Sequence, residues 1–201
     1  MANKVSVINP SYCVPHSIII QINTEKGVAY SERDDRLFYI QDTSFTLHDR
    51  RVLYDNTKNP IVTFYNKSSE ECKVFKGEST DSSNFLFRVK KMKKSSTIPS
   101  GITKLNVFLA KNPDEEKSEF RVIIYGSKRS CSVYVGESPT IVAQVENNGG
   151  FKVSVNPNVD YAFIVALLMI VKDIKCSDTS TQDSLSAGIE MTSAILSLPI
   201  E

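Results

Sequence analysis

The chain has 201 residues, enough for one domain with its own core, and its 41% apolar and 23% charged side chains are ordinary for a soluble globular protein. Its 24 basic and 23 acidic residues leave a formal charge of +1, which excludes a global pull toward nucleic acid or an anionic membrane. Four widely spaced cysteines with no C-x-x-C pair, and only two histidines, point away from a zinc site and from a resident cofactor.

Residues 1–17, "MANKVSVINPSYCVPHS", read as an N-terminal arm. They lack the uninterrupted apolar stretch of a secretory signal, and Ala2 in place of Gly excludes ordinary N-myristoylation. Without export, reduced thiols and a cytoplasmic or nuclear compartment follow.

From residue 18 onward the chain alternates short apolar, β-branched and aromatic runs with turn-rich gaps. The runs are Ile18–Ile22, Val28–Tyr30, Leu37–Ile40, Val52–Tyr54, Ile61–Tyr65, Cys72–Phe75, Phe85–Val89, Leu105–Leu109, Phe120–Tyr125, Cys131–Val135, Ile141–Val145 and Phe151–Val155. About twelve strands at this spacing point to an all-β barrel or sandwich. In "FLFRVK" residues Phe85, Phe87 and Val89 share one face, and Leu86, Arg88 and Lys90 share the other. Such alternation is that of antiparallel strands with one buried and one wet face.

The gaps hold the polar motifs. "DNTKNP" (55–60) and "NNGG" (147–150) read as tight turns, and "KGESTD" (76–81) as a turn in which Ser79, Thr80 and Asp81 bond the backbone. The acidic "NPDEEKSE" (112–119) lacks the order of a calcium loop and reads as solvated. No phosphate-cradling glycine motif occurs, and neither His16 nor His48 lies in a catalytic pattern. A hydrolase using Cys72 or Cys131 with a distant histidine is the enzymatic alternative. The non-enzymatic reading is preferred.

One basic cluster stands out: Arg88, Lys90, Lys91, Lys93 and Lys94 in "RVKKMKKSS". Arg88 and Lys90 fall on the outer face of a strand, and the later lysines in the loop after it. The cluster is the candidate lipid-headgroup site. Each cation near an anionic surface contributes about 1 kcal/mol, so five hold a protein loosely at a membrane. The structural alternative is a charged edge that discourages strand-to-strand aggregation. Phosphate on the adjoining Ser95, Ser96 or Thr97 would cancel the charge.

The greasiest stretch is "VDYAFIVALLMIVKDIK" (159–175). Its uncharged part, Tyr161–Val171, spans only about 16 Å as a helix, half of what crossing a bilayer demands. Asn158 or Asp160 can cap its start. Around a helical wheel Tyr161, Phe163, Ile164, Leu167, Leu168 and Ile170 cover every side, so the helix must be surrounded by protein. A dozen strands closed into a barrel leave a lumen too wide for their own side chains, and this helix is a suitable plug. The polar tail 177–201 reads as flexible, with a short amphipathic helix as its alternative.

Several stretches together resemble the plant LURP-one-related family: "RRVLYDNTKNPIVTF", "VFKGESTD", "FLFRVKK", "KLNVFLA", "RSCSVYVGES", "TIVAQV" and "NPNVDYAFIVALLMIVKDI". They occur in order from residue 50 to residue 174, and the resemblance covers roughly residues 18–176. The resemblance implies the fold shared with tubby C-terminal domains and phospholipid scramblases, a twelve-stranded β-barrel around a central C-terminal helix. The departures are "YGSK" (125–128), with no tryptophan nearby, and the tail, which matches nothing.

These readings give an arm (1–17), a tubby-like barrel domain (18–176) and a tail (177–201). The expected function is a monomeric, non-enzymatic binding module in plant stress or defence. Its expected partners are acidic phospholipids such as phosphoinositides, or an unidentified protein, and not nucleic acid. It would be cytoplasmic, peripheral at the plasma membrane, or nuclear. The alternatives are scramblase-like lipid transport and a protein adaptor with no lipid role.

Overall fold

The computed structural model describes residues 4–42, 50–93, 101–126, 130–146 and 152–176, with the backbone only for Asp42, Glu146, Lys172, Asp173, Lys175 and Cys176. Twelve strands appear where the apolar runs lie. They are β1 (Ile18–Asn23), β2 (Val28–Ser31), β3 (Arg36–Asp42), β4 (Arg50–Asp55), β5 (Pro60–Ser68), β6 (Glu71–Lys76), β7 (Phe85–Lys91), β8 (Ile102–Leu109), β9 (Phe120–Tyr125), β10 (Ser130–Val135), β11 (Ile141–Glu146) and β12 (Lys152–Val155). Each pairs antiparallel with its sequence neighbours. β1 also pairs with β12, with Ile18 opposite Val155 and Ile20 opposite Val153, so the sheet closes into a barrel with no free edge.

Side chains alternate across the wall. In β9 Phe120, Val122 and Ile124 are buried while Arg121, Ile123 and Tyr125 are not. Bulges at Ala29/Tyr30, Leu53/Tyr54, Asn66/Ser68, Val74/Phe75 and Val133/Tyr134 add the local twist that lets the sheet curve. In the 55–59 hairpin the Asp55 carboxylate accepts hydrogen bonds from Thr57 N and Oγ1 and from Asn59 N and Nδ2. These bonds hold the Asp55 carboxyl below its usual pKa, against the opposing push of partial burial.

The one α-helix among the described residues, α1 (Tyr161–Cys176), fills the lumen. Residues Ala162 to Ile170 are at most 2% exposed. Phe163 meets Phe87 and Phe120 of the wall, with ring centroids 5.2 and 4.9 Å apart. Of the side chains expected to surround the helix axis, Phe163, Ile164, Leu167, Leu168 and Ile170 are fully enclosed, whereas Tyr161 at the barrel mouth is half-buried. Tyr161 packs there against Tyr12 and Phe38, at 5.3 and 5.9 Å.

The N-terminal segment is bound into this mouth. Val5 bridges Val159, and Cys13 bridges Asp160. The fully buried Asp160 carboxylate holds the junction. Its Oδ2 accepts the N–H groups of Val7, Ile8 and Asn9 at 3.1, 2.7 and 3.0 Å. Its Oδ1 accepts the N–H of Phe163 at 3.0 Å and caps the helix. Asn158, the other cap candidate, turns the chain instead, with φ 62. One buried carboxylate thus satisfies amides from two segments about 150 positions apart in the chain.

Candidate functional site on the outer barrel face

With the lumen filled, the surface available to partners is the outside of the wall. Among the described basic residues of the cluster, the structure separates two groups. Arg88 and Lys90 project from the middle of β7, and both bind one carboxylate. Arg88 Nη1 meets Glu115 Oε1, and Lys90 Nζ lies 2.7 and 2.6 Å from Glu115 Oε1 and Oε2. Glu115 belongs to the acidic 112–119 stretch and takes a left-handed backbone conformation, φ 54. That stretch is therefore not wholly solvated as expected: Glu115 folds back over the barrel, and its ion pairs offset the strained backbone. Glu119 also works structurally, accepting from Leu109 N at 3.1 Å.

The second group sits at the end of β7. The strand runs to Lys91, two residues past the apolar run, so Lys91 is a strand residue and not a loop residue. Met92 and the exposed Lys93 follow, and Met92 N donates to Lys104 O of β8 at 2.9 Å. Met92 is 40% exposed, one of two large apolar side chains at the described surface. Lys94, and Ser95 to Thr97 beside it, lie outside the described residues, as do His48, the 147–150 turn and the tail 177–201.

A third feature was not legible in the sequence. Beside the start of β7 a pocket of about 320 Å³ is lined by Lys73, Phe75, Thr80, Ser82, Phe85 and Arg88. Phe85 does not share the inward face with Phe87 and Val89 as its spacing suggested. The bulge at Val74/Phe75 sets Phe75 opposite Phe85, the two rings meet at 5.6 Å, and the Arg88 guanidinium lies over the Phe85 ring. The "GESTD" loop forms one wall. Ser79 Oγ donates to Asp81 Oδ2 and accepts from Asp81 N and Asn84 Nδ2. Thr80, expected to bond the backbone, makes no such bond among the described residues; it lines the pocket.

The candidate nucleophiles are poorly placed. Burial pushes the Cys72 thiol up to about 12, so it is not a thiolate at neutral pH. Cys131 is buried in β10, and burial raises the Cys13 thiol as well. No group of three His, Cys, Asp or Glu side chains suited to a metal is found among the described residues. No described helix is long and apolar enough to cross a membrane.

The LURP-one-related family model matches residues 19–173, nearly the whole barrel and helix. The chain belongs to the LURP-one-related family. Similar members from Arabidopsis thaliana include Protein LURP-one-related 15, 36% identical over 86% of this chain and 87% of its own length. Protein LURP-one-related 10 is 34% identical over 87% of this chain and 98% of its own length. An X-ray structure of an Arabidopsis thaliana protein, 38% identical, superposes with a TM-score of 0.71 over 85% of this chain and 98% of that one. The closed barrel with a single C-terminal helix thus agrees with a solved relative.

Proposed function

We propose that the chain is a non-catalytic, tubby-like interaction module of plant stress or defence signalling that settles on acidic phospholipid surfaces through the end of β7. The observation that carries this reading is the exposed Met92 set between Lys91 and Lys93. An apolar side chain among cations suits an interface where lipid headgroups are anionic and the layer beneath is greasy. Glu115 redistributes the charge of the cluster. It engages Arg88 and Lys90, so these two contribute less to membrane contact than their charge alone suggests. Scramblase-like transport receives no support from the helix, because its apolar side chains are spent inside the barrel.

Co-sedimentation with phosphatidylserine vesicles, with and without phosphoinositide and over a salt series, tests the reading. Binding is expected at low salt and should weaken as salt rises. Replacing Lys91, Lys93 and Lys94 together with Ala should abolish it, while Lys90→Ala has a smaller effect. No binding at low salt, or binding indifferent to the triple change, would overturn the proposal.

A further inference from the structure

The pocket between β6, β7 and the 77–84 loop has a chemistry of its own, distinct from the membrane-facing end of β7. Lys73 and Arg88 stand directly opposite each other on neighbouring strands. Like charges in that position repel and destabilise the sheet. Glu115 meets Arg88 through Nη1; the Arg88 Nε is buried without an acceptor, and among the described residues the Lys73 ammonium has no hydrogen-bond or ion-pair partner. The hydroxyls of Thr80 and Ser82, which complete the rim, also have no hydrogen-bond partner among the described residues.

The loop that carries them is held in advance of any ligand. Buried Thr63 donates its hydroxyl to Gly77 O at 2.7 Å, and Gly77 N donates to Ile61 O at 3.0 Å. Arg50 Nη2 holds Glu78 O at 2.9 Å, and the Ser79–Asp81–Asn84 network fixes the remainder. Two cations and two free hydroxyls on a fixed frame are the donor set of a phosphoryl site.

The walls decide what carries the phosphoryl group. Phe75 and Phe85 present aromatic surface beside the cations. An inositol ring has hydroxyls on every edge, and these would lose water against phenyl walls without gaining partners. A phenyl ring packs there favourably and brings its phosphate to the cations. We infer that this pocket binds an aryl phosphate, the phosphotyrosine side chain of a partner protein. Its volume, at the low end for small-ligand pockets, suits one side chain and not a folded segment.

Amide-detected NMR titration of the full chain tests this, with phenyl phosphate, inorganic phosphate, inositol trisphosphate and a phosphotyrosine peptide beside its unphosphorylated twin as probes. Phenyl phosphate and the phosphopeptide should shift the amides of Lys73, Thr80, Ser82, Phe85 and Arg88, at least about tenfold tighter than inorganic phosphate. Lys73→Met should weaken phenyl phosphate by about tenfold without lowering Tm, since it also removes a like-charge pair. Thr80→Val with Ser82→Ala should weaken it too, with the fold retained. The proposal is overturned if the unphosphorylated peptide binds equally well, or if the shifts map elsewhere. Tighter binding of inositol trisphosphate than of phenyl phosphate at these residues would make the pocket a headgroup site and overturn it as well. Vesicle binding through Lys91, Lys93 and Lys94 survives Lys73→Met on this account, so failure of one reading is distinguishable from failure of the other.

Discussion

The lumen and the outer face of β6–β8 are built from the same strands, yet they obey different rules. Inside, α1 meets inward side chains such as Phe87 and Phe120 from several strands, and nearly every position is apolar and enclosed. Outside, Lys73, Arg88, Lys90 and Glu115 are only partly buried, and their contacts are set by charge. The interior supplies stability; the exterior is free to vary its chemistry, and so it is where binding is proposed. The most apolar stretch of the chain is therefore its least available to a partner.

The largest test of this contrast is Leu167→Asp. A carboxyl in the dry lumen, even once it takes up a proton, adds to the loss of a packed leucine and cancels most of the about 5–15 kcal/mol that hold a typical domain together. The variant should lose its cooperative thermal transition and go into inclusion bodies. A folded, soluble variant would break the contrast. Asp160→Ala is the next in size. It orphans the amides of Val7, Ile8, Asn9 and Phe163 and should cost about 2–4 kcal/mol in chemical denaturation. It should also bring fast hydrogen exchange at the first three of those amides. Unchanged exchange there would mean that the N-terminal segment is held by other contacts. The smallest effect on stability is expected at the surface. Glu115→Gln should change unfolding free energy by less than about 1 kcal/mol, because its ion pairs are partly solvated. The same change should strengthen binding to acidic vesicles by freeing Arg88 and Lys90. A large loss of stability would move Glu115 from the exterior class to the structural one.

Sequence pattern made the interior legible and the exterior opaque, for a physical reason. Strand and helix periodicities are local, so the twelve strands and the buried axis could be read from windows of a few residues. The clamp of Glu115 on Arg88 and Lys90 joins residues 25 to 27 positions apart and depends on how a loop folds back. The facing of Lys73 and Arg88 is a matter of register. The bulge at Val74/Phe75, which no periodicity announces, carries Phe85 out of the face its spacing assigned. Asp160 was readable as a helix cap, but its grip on Val7 to Asn9 needed the closed fold to bring the chain's two ends together.

Hydrogen–deuterium exchange of the full chain, free and on phosphatidylserine vesicles, tests most directly the claim that the helix is an enclosed axis and that binding happens outside. The amides of residues 164–174 should exchange only as slowly as global unfolding allows, with or without vesicles, while added protection is confined to Lys90–Lys93 and the adjoining part of β8. Helix amides that open on vesicles, with protection moving from the barrel wall to α1, would contradict the account.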